Sequence, residues 1–390
     1  MAQAHAELRL AHQDEPIQFV DLAAQQARIR ARIEARFSAI LDHGRYINGP
    51  EVAELEAALT ARVGASDVVA VGSGTQALIM PLLARGVGAR DAVFIPAFTY
   101  NATANAVLLA GATPVFVDID PNTLTLDVAD LDKRIVAAKT QGLRPRAVIP
   151  VDLFGWPADY AAIHRVAQAH DLAVIADAAQ SFGARLDGVW AGAIAPVTAT
   201  GFFPAKALGG YGDGGAIFIR DGEALGETLR SIRWHGTDEA RRDSVRVGLN
   251  GRLDSLQCAV VLEKLKIFDE ELARRDAIAR RYLDALESRV GLPVGPTGAA
   301  SGWGYFTIQI EGGRRDAVRA TLTDTGVPTA VYYAKPLHQM DAFADYAPKA
   351  GLPVTEAASA QVLSLPLHPY LSDAQAERVI TALIRALNAG

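Results

Sequence analysis

The chain has 390 residues, half of them hydrophobic and 21% charged, with a formal net charge of −6. That length admits about two domains and ample material for a packed α/β interior. The acidic balance, with no basic block to offset it, argues against a nucleic-acid or anionic-membrane partner, and the single cysteine, Cys258, excludes a disulfide framework or a cysteine metal cluster.

The opening stretch MAQAHAELRLAHQDEPIQ mixes charges of both signs and lacks the apolar segment of a signal peptide. No uncharged apolar run reaches the length of a membrane span, so a soluble, cytoplasmic protein is expected. From about Asp67 to Ile219, short apolar runs alternate with helical patterns. DVVAV, DAVFIP, TPVFVD, RAVIPVD, LAVIAD, TATGFF and GAIFIR read as strands buried on both faces, with GTQALIMPLLARGV and YAAIHRVAQAHD as helices between them. Such alternation predicts a largely parallel sheet covered by helices, with any ligand at the polar strand ends.

Four segments along this stretch carry candidate chemistry. In AVGSGTQAL, Gly72, Ser73, Gly74 and Thr75 follow a strand and open a helix, which suits a phosphate, although a ligand-free turn reads equally well. The segment is neither a P-loop nor a dinucleotide fingerprint, which disfavours a nicotinamide-dependent oxidoreductase. Tyr100, just past a strand end, is either a stacking platform for a planar group or ordinary packing. In VIADAAQSFGA, Asp177 ends an apolar strand; it either meets a cation there or caps the next helix, and Gln180 follows three residues on. Last comes FFPAKALGGYGDGG, where Lys206 is either a solvated loop lysine or an amine presented to a small molecule.

From about Arg252 to Val290 the pattern is helical and charged without a strong breaker, and Cys258 falls on its apolar face, where packing is expected. GLPVGPTGAASGWG reads as a connection. Beyond it, YFTIQI, the amphipathic RRDAVRATLTDTG and a closing helix from Ser372 suggest a smaller α+β domain. Taken together, a helix-start phosphate site, a flat aromatic, a strand-end aspartate and a later glycine-flanked lysine are the parts that hold pyridoxal phosphate. The lysine condenses with its aldehyde, and the aspartate keeps the pyridine nitrogen protonated, which makes the ring an electron sink.

With FVDLAAQ, RYINGPEVAELEAAL, YGDGGA, VGLNGRLDSLQ, KPLHQM and SLPLHPYL, these segments resemble the DegT/DnrJ/EryC1/StrS family of pyridoxal-phosphate sugar aminotransferases over nearly the whole chain. The resemblance implies the type I, aspartate aminotransferase-like α/β fold, with a large domain over 1–265 and a small C-terminal α+β domain over 266–390. It implies that pyridoxal 5'-phosphate binds Lys206 covalently, with Asp177 at the ring nitrogen, Gln180 at the ring hydroxyl, Tyr100 stacked, and Gly74 and Thr75 on the phosphate. Asn250 would reach the phosphate of the neighbouring subunit in a homodimer with shared active sites. On the substrate side fall Arg252, which either grips a carboxylate or pairs with Asp254 or Glu263, His338, and Tyr211. His338, like His235, is equally readable as a structural histidine.

One departure is Gly201, where the family usually places a phosphate-binding serine; Thr200, Thr75 or Asn250 could stand in for it. The other is GWGYF around Tyr305. The family's members with histidine at the lysine position are dehydratases, so Lys206 implies transamination, with L-glutamate as donor and a keto nucleotide sugar as acceptor. FFPAKALGGYGDGGA, VRVGLNGRLD and VDLFGWPADY look most like the branch acting on the 3-keto group of UDP-2-acetamido-2-deoxy-glucuronate for surface polysaccharide. Other 3-keto or 4-keto sugars, and a non-catalytic regulator on the same fold, stay open. No metal is implied.

Overall fold

Each of the seven apolar runs forms a strand: β1 (Asp67–Val71), β2 (Asp91–Pro96), β3 (Thr113–Val117), β4 (Arg144–Val148), β5 (Ala173–Asp177), β6 (Val197–Gly201) and β7 (Gly215–Ile219). The computed structural model describes residues 16–220, 223–292 and 294–389, so all but the end of the segment read as lacking a signal sequence lies outside the described residues. The strands make one sheet in the order β1-β7-β6-β5-β4-β2-β3. Only β7 runs against its neighbours. The other six share one direction, which gathers their C-terminal ends on a single edge.

Period-two alternation explains why these runs are apolar with few interruptions. Val69 and Val71 point into one core, shared with the helices α3 (Gly74–Ala84), α4 (Ala102–Leu109) and α7 (Glu223–Arg233). Val68 and Ala70, one residue out of phase, point into another, shared with α2 (Pro50–Val63) and α8 (Ser255–Leu265). Both faces are therefore covered. β4 departs from the expectation, because Arg144 to Arg146 are exposed or half-exposed and only its second half is buried. On the second face, α5 (Val128–Thr140) and α6 (Tyr160–Ala169) pack on Phe94, Val148 and Val174. An outer helix, α1 (Leu22–His43), lays Ile29 and Ile33 against Val260 of α8.

The charged pattern from Arg252 to Val290 is not one helix. It breaks at Lys266–Ile267 into α8 and α9 (Phe268–Leu286). Val261 and Leu262 of α8 face the sheet, whereas Ile278, Tyr282 and Leu286 of α9 face a separate core, so a straight helix could not serve both. Asp269, Glu270 and Glu271 in the first turn of α9 mark the new start, where negative charge suits the helix dipole. That separate core is built on an antiparallel pair, β8 (Phe306–Gln309) and β9 (Val362–Leu365), with α10 (Arg315–Asp324) and, after the short helix α11 (Pro353–Gln361), α12 (Asp373–Asn388). Ser372 starts α12 through a reciprocal capping box with Gln375. We propose the domain boundary, 265/266, at this passage from one core to the other.

The glycine-rich connection is less irregular than expected: Ala299–Ala300 pairs with Arg185–Leu186, which in turn pairs with Val189–Trp190. Among the described residues, no helix is long and apolar enough to cross a membrane.

Candidate active site

The strand edge that gathers the C-terminal ends also gathers most of the polar candidates. At the end of β1, Ser73 adopts extended backbone and its hydroxyl accepts the Gln76 N–H at 3.1 Å, capping α3. Its carbonyl takes the Ala77 N–H at 3.0 Å. The N–H groups of Gly74 and Thr75, at the start of the helix, have no intrahelical acceptor and point out of its positive end. This turn lies directly against the end of β6. A Cβ built on Gly74 would stand 3.1 Å from the Gly201 Cα, so the two backbones meet without side chains between them.

Asp177 closes β5 with 6% of its surface exposed. Its carboxylate accepts the Thr103 hydroxyl at 2.9 Å and the Ala179 N–H at 3.1 Å. No helix follows directly, so the capping alternative falls away: residues 179–183 are turn. Burial pushes its carboxyl above the ordinary range, opposed by Thr103, by the Ala179 N–H and by Lys206. A carboxylate desolvated without an ion pair is complementary to a cation brought by a ligand.

Lys206 follows β6 on a tight turn in which its N–H donates to the Phe203 carbonyl at 2.9 Å. The turn needs Gly209, whose Cβ would stand 2.6 Å from two backbone carbonyl oxygens. The residue is half-buried with its ammonium turned inward, 5.9 Å from the centre of the Tyr305 ring. Among the described residues the ammonium makes no hydrogen bond. Burial pushes the amine down to about 8, against the pull of Asp177. The solvated-loop reading of this lysine does not hold.

Gln180 is buried on the turn after Asp177. Its Oε1 accepts the Phe154 N–H at 2.8 Å, and its Nε2 donates to the Tyr333 hydroxyl at 2.9 Å. Tyr100 stands 58% exposed, with its ring 6.2 Å from that of Tyr333. Tyr305, in the segment that departs from the family pattern, meets Tyr332 ring to ring at 4.5 Å.

Asn250 and Arg252 lie beside the same edge. The Gly72 N–H donates to the Gly251 carbonyl at 3.0 Å, and the Gln76 amide to the Asn250 carbonyl at 3.0 Å. The exposed Asn250 side chain accepts Arg252 at 2.6 Å and 3.0 Å. Arg252 does not pair with Asp254 or Glu263, which overturns the salt-bridge alternative. Its guanidinium lies 4.5 Å over Trp234, and Arg241 lies 3.7 Å from the same ring.

Three expected residues are not brought to this group. Thr200 is buried and donates its hydroxyl to the Ala178 carbonyl at 3.1 Å, so that donor is committed within the sheet. Tyr211 packs behind the lysine loop, beside Ile29 and Ile33, with Lys264 Nζ 4.6 Å from its ring centre. His338 is buried, donates from Nε2 to Glu356 at 3.0 Å and packs on Phe116, which favours the structural-histidine alternative. His235 occupies a left-handed turn position at φ 59°.

Thr103, Phe154 and Tyr333 complete the site, and sequence reading missed all three. For Tyr333 the available signal was the tyrosine pair directly ahead of AKPLHQM.

Comparison with known proteins shows the family. The sequence profile of the DegT/DnrJ/EryC1/StrS aminotransferase family matches residues 27–384. The chain is 46% identical over 368 residues to a UDP-2-acetamido-2-deoxy-3-oxo-D-glucuronate aminotransferase of Pseudomonas aeruginosa, covering 94% of this chain and 99% of that one. The fold superposes with a TM-score of 0.91 on a DegT DnrJ EryC1 StrS aminotransferase from Brucella abortus, at 48% identity over 95% of this chain and 99% of the other. It is also similar to ntda from Bacillus subtilis, solved with bound cofactor PMP, with a TM-score of 0.84 and 30% identity over 92% and 82% of the two chains. The chain belongs to the DegT/DnrJ/EryC1/StrS aminotransferase family, the pyridoxal-phosphate-dependent sugar aminotransferases.

Proposed function

We propose that this aminotransferase moves the amino group of L-glutamate to C3 of UDP-2-acetamido-2-deoxy-3-oxo-glucuronate, a step toward surface polysaccharide. The observation that carries the choice of acceptor is Arg252. Among the described residues its partners are a neutral asparagine and an aromatic ring, which leaves its charge for the carboxylate of a uronate. The Pseudomonas aeruginosa relative, whose name specifies that acceptor, supports the same reading.

The cofactor fits the residues present. Among the described residues, a buried carboxylate with no salt bridge, an amine with no hydrogen bond, and two N–H groups at a helix start match a phosphorylated pyridine aldehyde. When bound, pyridoxal phosphate supplies a carbonyl for the amine and an electron sink for the charge at the donor's α-carbon. Gly74 and Thr75 hold the phosphate through backbone N–H groups. Asp177 keeps a proton on the ring nitrogen, Gln180 donates to the ring oxygen, and Tyr100 covers the ring. Lys206 Nζ takes the proton from the donor's α-carbon and, in the second half of the cycle, delivers one to the former ketone carbon.

A homodimer is part of the proposal, with Asn250 of each chain serving the phosphate site of the other. Val247, 84% exposed in the segment leading to Asn250, and the exposed Phe203 beside the lysine loop supply apolar surface that a second copy would cover.

The test is amino transfer from L-glutamate to the 3-oxo-glucuronate, followed by chromatography of the nucleotide sugar. Arg252→Met is expected to raise KM for this acceptor between about tenfold and a hundredfold and to leave an acceptor lacking the carboxylate unchanged. An equal loss with both acceptors would sink the choice of a uronate. Gly201 gives a second expectation. A serine Cβ there would stand 3.3 Å from the Gly74 Cα, a contact that a small shift relieves. Its hydroxyl would add a donor at the phosphate, so Gly201→Ser should tighten cofactor binding about tenfold by fluorescence titration.

A further inference from the structure

Behind Asp177 lies a second buried carboxylate, Asp152, which the chemistry described so far does not use. It is wholly buried in the loop that leaves β4. Its Oδ1 accepts the Ala158 N–H at 3.0 Å and the Tyr160 hydroxyl at 2.7 Å, and its Oδ2 accepts the Ser181 hydroxyl at 2.8 Å. Its own N–H donates to the Asp177 carbonyl at 3.0 Å. One side chain thus ties together two loops: its own, which runs on through Phe154 to Tyr160, and the turn after β5, which carries Gln180 next to Ser181.

The two loops meet at one hydrogen bond, from the Phe154 N–H to Gln180 Oε1. A backbone N–H can only donate, so it accepts no bond from an amide nitrogen and fixes which end of the Gln180 amide faces it. The –NH₂ end is then turned toward Tyr333. Phe154 reaches this position in a left-handed conformation, φ 58°, followed by Gly155 at φ 106°. A non-glycine residue keeps such a conformation only where its surroundings over-determine it, and the bonds from Ala158 and Tyr160 to Asp152 close this same loop.

We propose that Asp152 is a positioning residue for Gln180. By holding the β4 loop against the Gln180 turn it sets the amide so that N–H, and not C=O, is offered to the ring oxygen of the cofactor. This rests on the cofactor reading above. Burial pushes the Asp152 carboxyl up to about 7, yet its role here is geometric: either protonation state has acceptor atoms for the two loops.

The test compares Asp152→Ala, Asp152→Asn and Gln180→Ala, each confirmed folded by thermal melting. In protein loaded with pyridoxal phosphate, Asp152→Ala should displace the visible absorption band as Gln180→Ala does and weaken cofactor binding about tenfold. Asp152→Asn keeps an acceptor at Oδ1 and an amide that Ser181 can bond, so it should restore most of the wild-type band and affinity. In the cofactor-free protein, amide exchange at Phe154 should be faster in Asp152→Ala than in Asp152→Asn.

A folded Asp152→Ala with the wild-type band would overturn the proposal. So would equal displacement by alanine and asparagine, which would make the charge and not the geometry responsible. Should Asp152→Ala not fold, Ser181→Ala removes one of the ties and should displace the band in the same direction, by less; an unmoved band there also overturns it. If the unmodified protein shows no visible band with pyridoxal phosphate, the cofactor reading itself fails and takes this proposal with it.

Discussion

Lys206→Ala is expected to lower turnover at least about 10³-fold and to remove the visible band that pyridoxal phosphate gives with the unmodified protein. The two proposed roles are lost together, covalent capture of the aldehyde and proton transfer at the donor's α-carbon, so added amines should rescue only part of the rate. The same residue makes a prediction about pH. Only the neutral amine attacks an aldehyde, and burial holds this one down to about 8. Uptake of pyridoxal phosphate by the cofactor-free protein should therefore rise about tenfold per pH unit below 8 and level off above it. Stopped-flow absorbance reads this directly. A profile still rising through pH 10 would mean an ordinary solvated lysine, and an unchanged band in Lys206→Ala would place the chemistry elsewhere.

Asp177→Asn is expected to separate activity from stability. The amide can keep its oxygen for the Ala179 N–H and offer its –NH₂ to the Thr103 hydroxyl, which accepts as well as donates, so the fold loses little. What disappears is a charge buried without an ion pair, whose removal is neutral or favourable to the empty protein. In its proposed role that charge keeps the ring nitrogen protonated, so kcat should fall by about 10² to 10³. Thermal melting of the cofactor-free variant should give a Tm equal to or above that of the wild type. If the melting temperature drops in step with kcat, Asp177 is chiefly a structural residue and its assigned role is wrong.

The main sheet was readable because strands buried on both faces are nearly continuous apolar runs, and only the first half of β4 departs from that. The reversed direction of β7 could also have been read: 202–214 shows no helical pattern, and a parallel return ordinarily needs a helical crossover. Asp177 and Lys206 were legible because each breaks a local rule, a charge at an apolar strand end and a cation among glycines. Thr200 was misplaced because successive strand side chains point to opposite faces, and nearness in sequence to Gly201 says nothing about which face. His338 and Tyr211 sit in family-like segments, but their orientation depends on Glu356 and on α8, which no short window contains. Thr103, Phe154 and Tyr333 reach the site from distant segments, and Phe154 does so through its backbone, for which residue type carries no signal.

The return strand β7 has one more effect. Gly201 and Gly215 are paired partners in the ladder, so the chain leaves the sheet and re-enters it at the same rung, with Lys206 in between. The sheet itself closes this loop, and ordering the reactive amine adds little chain entropy to that already lost in forming the strands. Doubling the length of such a loop costs only about 0.6 kcal/mol in closure entropy. Insertions between 202 and 214 should thus be nearly invisible to melting experiments while moving the amine out of reach. In this segment, tolerance of the fold and tolerance of the chemistry part company, and a library of loop variants sorted by stability alone would keep mostly inactive proteins.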